Sequence, residues 1–214
     1  TYDSVVILER KYREALNCEG VVGLVIGTRP DCMDDGKLAL LRELSHQNYI
    51  MVEYGIESVY NRTLQRINRG HSFEDTIEAV NITSEMGIHV GGHLIFGLPG
   101  ESRQDMLDSA QIISRLPLDS IKFHQLQIFK GTAMETEYRN NPGDFILAGE
   151  NDYLEFMVEF IEMLNPRIVV DRIAGETPPR YSAHRPWGPR YDRILQRFEQ
   201  LLEERDTWQG RRWQ

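Results

Sequence analysis

Two glutamates, three histidines and a lysine recur at every second position within three apolar runs of this 214-residue chain. If residues 49–57 are extended, Glu53, Gly55 and Glu57 share one side, with Val52, Tyr54 and Ile56 on the other. Residues 88–96 place His89, Gly91, His93 and Ile95 opposite Val90, Gly92, Leu94 and Phe96. Within residues 120–129, Lys122 and His124 alternate with Ile121 and Phe123. Burying unpaired carboxylates, imidazoles or an ammonium costs several kcal/mol each, so these groups need partners or a ligand. Glycines on the same side leave room for something bulky. A self-satisfied network of Glu53, His93 and Lys122 is the purely structural alternative.

The elements that must position these groups alternate. Apolar runs at 20–26, 49–56, 88–96 and 120–129 start roughly 30 to 40 residues apart, the length of a βα unit. Leu38, Leu41 and Leu44 follow helical spacing within 33–44. Ser72 and Asp75 form a capping-box pattern ahead of Ile77, Val80 and Met86, and 101–116 carries Met106, Ala110 and Ile113. Repeated βα units predict a parallel sheet, open or closed into a barrel, with its site at the strands' C-terminal ends. Beyond residue 132 come a loop at 140–144, a helix with Leu154, Met157 and Ile161, and a strand over 167–174. A Pro/Arg-rich stretch over 177–190 precedes an amphipathic helix with Ile194, Phe198 and Leu201.

The net charge of −9 argues against an extended polyanion-binding surface. Residues 171–214 carry nine arginines against seven acids. There Arg180, His184, Arg185, Trp187, Arg190 and Arg193 suit an anionic substrate or RNA, with Trp187 and Tyr181 as stacking surfaces. The alternative is an extension whose arginines lie in solvent or ion pairs. Two cysteines are too few for a disulfide framework and point to a reducing, cytoplasmic compartment. No apolar run approaches the roughly 18 residues of a membrane span, so no membrane partner is expected.

Gly27-Thr28-Arg29-Pro30-Asp31, residues 53–58 (EYGIES), 63–71 (TLQRINRGH) and 93–101 (HLIFGLPGE) resemble successive motifs of the radical S-adenosylmethionine (SAM) superfamily. The resemblance is to the branch of the oxygen-independent coproporphyrinogen oxidases and Elongator-type tRNA-modifying enzymes. Lys122-x-His124-x-Leu126, Lys130-Gly131-Thr132 and Trp187-Gly188 add the pattern of the YhcC-like group. It implies an α/β fold: a partial, open (β/α) barrel over 1–135 with about four of six units and the first two strands missing. A helix-strand-helix extension over 136–214 packs on it.

The resemblance also implies SAM and a [4Fe-4S] cluster as cofactors, with flavodoxin or ferredoxin as electron donor. An electron from the cluster cleaves SAM to methionine and a 5′-deoxyadenosyl radical, which acts on a small molecule or RNA. Glu57 falls beside the ribose or methionine part of SAM, Arg69 near its carboxylate, and His93 at the ribose hydroxyls. Ile95 and Gly97 pack on the adenine; Lys122, His124 and Arg185 are substrate candidates. The loop at 97–102 offers backbone N–H groups to an anion. Where relatives carry a glutamate this chain has Gly27, so that contact to the SAM amine is missing or replaced, with Glu53 the candidate.

The family's CxxxCxxC loop and its paired-glycine motif are absent: Cys18 and Cys32 stand 14 positions apart. The chain is therefore expected to be the C-terminal portion of a longer enzyme, inactive alone and unable to hold the cluster with its own cysteines. Two other classes stay open. One is a barrel-type lyase or hydrolase with zinc or manganese on Glu53, Glu57, His89, His93 and His124. The other is a module that binds in the SAM-like pocket without catalysis.

Overall fold

The computed structural model describes every residue except Arg185, Pro186 and Pro189. Along the chain run α1 (Val5–Leu16), β1 (Gly23–Thr28), α2 (Asp35–Ser45), β2 (Tyr49–Glu57), α3 (Asn61–Arg66) and α4 (Phe73–Glu85). They are followed by β3 (His89–Phe96), α5 (Arg103–Ile113), β4 (Ser120–Gln125), α6 (Ala133–Asn140), α7 (Glu150–Met163), β5 (Val169–Arg172) and α8 (Tyr191–Glu204). The strands form one parallel sheet in the order β1-β2-β3-β4-β5.

Local chemistry starts the helices where the sequence says it should. Ser72 and Asp75 close a reciprocal capping box at α4, and Ser102 and Asp105 another at α5. Asp34 caps α2 through the Lys37 N–H. Leu38, Leu41 and Leu44 are buried as their spacing requires, as are Ile194 and Phe198 of the strongly amphipathic α8.

One face of the sheet carries the main core. Val52, Tyr54, Ile56, Val90, Leu94, Phe96, Ile121 and Phe123 are all buried, within one cluster that includes α7's Leu154, Met157 and Phe160. Phe96 stands 4.8 Å from Phe156 and 4.9 Å from Phe160, both edge-on, and Phe160 stands 5.1 Å from Phe123. Each such aromatic contributes about 1.5–3 kcal/mol by leaving water.

The structure shortens two expected strands. Extended sheet pairing ends at Gln125 rather than 129, and residues 126–129 leave the sheet with Leu126 and Ile128 in a second small cluster. The strand expected over 167–174 pairs over only four residues, but it joins the sheet beside β4. Residues from beyond 136 thus complete the same sheet as those before it.

Candidate functional site

Register brings the polar residues together. Gly27 lies beside Glu53, which lies beside Gly91; Gly55 lies beside His93, which lies beside Lys122; and Ile95 lies beside His124. Partners in register share a face, so these residues form one polar patch opposite the aromatic core. At its margins Val25 and Val169 are 56% and 60% exposed, so this face is open to solvent there.

Glu53 is the hub. Its carboxylate accepts a hydrogen bond from Lys122 Nζ and pairs with His93 Nε2 at 3.1 Å. Burial pushes the Glu53 carboxyl up, but the bonds from Lys122 and His93 outweigh it and hold the group below its ordinary value. A Cβ on Gly91 would come within 2.9 Å of Glu53 Cγ, so that glycine makes room for the hub. The three residues are therefore the closed network that the structural alternative describes, and with Glu53 committed to it, Gly27 beside it faces open space.

Glu57 and Arg69 form the second pair. Arg69 Nη2 donates to Glu57 Oε1 at 2.9 Å and to the Gly55 carbonyl at 3.1 Å. A bulge after Gly55 interrupts pairing with β3, and Glu57 takes a left-handed φ of 64°. Arg69 follows α3 between Asn68 and Gly70, both left-handed, and Gly55 lacks the side chain that would occupy the pair's space. Burial pushes the Glu57 carboxyl up against the opposing pull of Arg69. Arg69 Nε is buried and has no hydrogen-bond partner among the described residues.

His124 completes the patch, 5.6 Å from His93 between ring centres. Burial, then the charges of His93, Arg172 and Lys122, lower its pKa to about 4, so it is neutral near pH 7. Gly175 packs on it so closely that a Cβ there would meet Nδ1 at 2.9 Å. Gln125 fixes Gly175 by bonding both its N–H and its carbonyl, each at 2.9 Å.

Other expectations fare differently. The loop at 97–102 does not offer its N–H groups to an anion. Gly97 donates to Met106 Sδ, Gly100 to Asp144, Glu101 to Leu98, and Ser102 to the Asp105 carboxylate. Gly97 has φ 91°, and a Cβ there would meet the Ile146 carbonyl at 2.6 Å, so the glycine serves the turn. Ile95 is half-buried against the small cluster of Leu98, Leu126 and Ile128. Trp187 is half-buried: it stands 5.0 Å from Tyr153 and donates to the Ala148 carbonyl. Arg185 lies outside the described residues.

Among the described residues, no three His, Cys, Asp or Glu side chains are grouped to hold a metal ion. Cys18 is exposed and Cys32 half-exposed on separate elements, so the residues present do not fit a [4Fe-4S] cluster. No helix among the described residues is long and apolar enough to cross a membrane.

Three features escape the sequence patterns. Glu101, buried, accepts a hydrogen bond from Ser58 and ties the loop after β3 to the turn after Glu57. A cavity of about 670 Å³ lies between α5 and α7, lined by Phe96, Met106, Tyr153, Phe156 and Trp187. Arg172 reaches the polar patch from β5. All three depend on contacts between residues more than 40 positions apart, which periodicity does not reveal.

This arrangement defines a parallel α/β protein with a polar site on one face of its sheet. Residues 3–113 match the Radical SAM superfamily, and residues 118–204 the Radical_SAM C-terminal domain. The chain belongs to the radical SAM superfamily. It is 34% identical to the uncharacterized protein YtqA of Bacillus subtilis, over its whole length and 66% of YtqA. It is 30% identical to a tRNA uridine(34) acetyltransferase of Methanocaldococcus infernus, over 73% of the chain and 29% of that protein. The chain thus spans just under two thirds of YtqA and less of the acetyltransferase. Its fold is similar to that of M. infernus Elp3 with a deleted N-terminus, at a TM-score of 0.76 and 24% identity, covering 88% of this chain and 43% of that one. Enzymes of the superfamily use SAM and a [4Fe-4S] cluster; the TsrM methyltransferase of Kitasatospora setae, for one, is solved with the cluster bound.

Proposed function

We propose that this chain is the SAM-pocket and substrate-facing portion of a radical SAM oxidoreductase, with residues 1–135 a partial barrel and 136–214 its extension. The observation that carries this is the pairing of Glu57 with Arg69 at the end of β2, beside His93 and next to a buried, partnerless Arg69 Nε. A guanidinium with an unused N–H inside a polar patch suits a carboxylate, and the methionyl end of SAM presents one. When bound, the cluster would supply the electron for reductive cleavage of SAM, and this chain's part would be to hold and orient SAM and the substrate.

This chain's residues then have separate tasks. Arg69 fixes the carboxylate of SAM while Glu57 and the Gly55 carbonyl fix the Arg69 guanidinium. His93, anchored on Glu53, faces the ribose hydroxyls, and Ile95 shields the adenine side from water. Lys122 and His124 lie toward the substrate, which is a small molecule or an RNA. This chain's cysteines do not suit the cluster, and a carrier such as flavodoxin or ferredoxin would be the electron donor. The cytoplasm, kept reducing, suits both.

The test uses the full-length protein, purified without oxygen and reconstituted with iron and sulfide. About four irons per chain, with 5′-deoxyadenosine formed only when SAM and a low-potential reductant are both present, is the expected result. A full-length protein with neither would overturn the reading, and a binding module without catalysis would take its place.

A further inference from the structure

We propose that Arg172 and His124, beside the Glu53-paired Lys122, form an anion-binding corner of the polar patch, which takes a carboxylate or phosphate group of the substrate. The proposal rests on the reading of this face as the reaction site. It begins with an irregularity in β5. Ile121 pairs with Val170, but the next residue, Lys122, pairs with Arg172, so Asp171 is the extra residue of a bulge. Without that bulge an acid would stand beside Lys122. With it, an arginine does, and bulges next to sites commonly re-aim one side chain in this way.

Most cationic side chains near it are already matched. Lys122 is paired with Glu53 and Arg69 with Glu57. Arg29, Arg66 and Arg103 each hold an acid elsewhere. Arg172 is exposed, and its side chain makes no ion pair or hydrogen bond among the described residues. Its register beside Lys122, two residues before His124, puts it on the strand flanking that ring, and its charge is among those that lower the His124 pKa.

His124 is the complement. It is half-buried, and neither of its ring nitrogens is hydrogen-bonded among the described residues. His93 from β3, Lys122 from its own strand and Arg172 from β5 surround it with positive or protonatable groups, and Gly175 closes the remaining side. A neutral imidazole keeps one N–H to donate, and a guanidinium offers two parallel N–H groups. Together they match the planar oxygens of a carboxylate or the edge of a phosphate. On a chain of net charge −9, such a corner is the local exception that selects an anionic group.

Calorimetric titration of the full-length protein tests this, with inorganic phosphate and succinate as probes at fixed ionic strength and SAM binding measured on the same samples. Saturable binding of phosphate, succinate or both is expected, weakened about tenfold or more in Arg172→Gln, partly restored in Arg172→Lys, and with SAM affinity unchanged. Phosphate alone identifies a phosphorylated substrate, succinate alone a carboxylic acid. No saturable binding of either anion, or equal binding by Arg172→Gln, would overturn the proposal. Loss of the anion in Arg172→Gln from a protein that does not bind SAM supports the corner and removes the SAM reading instead.

Discussion

On one face of the sheet, Tyr54, Leu94, Phe96 and Phe123 share one buried cluster with Phe156 and Phe160 of α7; on the other, alternate residues of the same strands are Glu53, His93, Lys122 and His124. The first face is dry and interlocked, with rings 4.8–5.1 Å apart. Its one phenol from β2, Tyr54, bonds Thr83 at 2.7 Å, and burial pushes it up to about 12. The second face is open at its margins and depends on charge pairing. Apolar burial is concentrated on one side and charge pairing on the other, and a parallel strand built this way departs from the usual apolar run on both faces.

Substitutions should separate the two faces by the size of their effects. Phe160→Ala removes a ring from the aromatic cluster and should cost about 3–5 kcal/mol, read as a lower denaturation midpoint. Lys122→Met leaves Glu53 buried with one partner and should cost about 1–3 kcal/mol. Adding Glu53→Gln to Lys122→Met should cost less than the sum of the single changes, because the pair then disappears together. Equal effects of Phe160→Ala and Val169→Thr would erase the distinction between the faces.

Much of this contrast is legible in the chain. Alternation in 49–57 and 88–96 places Glu53 and His93 on one face, a capping pair locates α4, and apolar spacing locates α5. What stays hidden arises from departures from regularity. The bulges after Gly55 and before Arg172 alter which side chains meet, and no period of two encodes an extra residue. The six-residue α3 buries only Thr63 and Leu64, too few to show a helical stripe, although it carries the chain to Arg69. The loop at 97–102 reads as an anion cradle until its N–H partners, including distant Asp144, are known.

A smaller effect concerns His124. Its folded pKa of about 4 lies below the unfolded value near 6.5, so the unfolded chain takes up the proton first. Its contribution to stability is complete above about 6.5 and is lost as pH falls toward 4. Arg172→Gln removes one of the positive charges that lower it, so histidine NMR titration should find the His124 pKa higher in the variant. An unchanged value would separate Arg172 from the patch. The smallest change should come from Val169→Thr on the exposed margin, within about 0.5 kcal/mol of the parent, whereas Val90→Thr in the core should cost about 1–3 kcal/mol.

The polar face holding SAM through Arg69 is the central claim, and SAM affinity of the full-length protein tests it most directly. Arg69→Ala should weaken binding at least about tenfold, while Arg66→Ala, on the same segment but paired with Glu137 and Asp144, should leave it unchanged. Equal affinity in Arg69→Ala and the parent protein would contradict the claim.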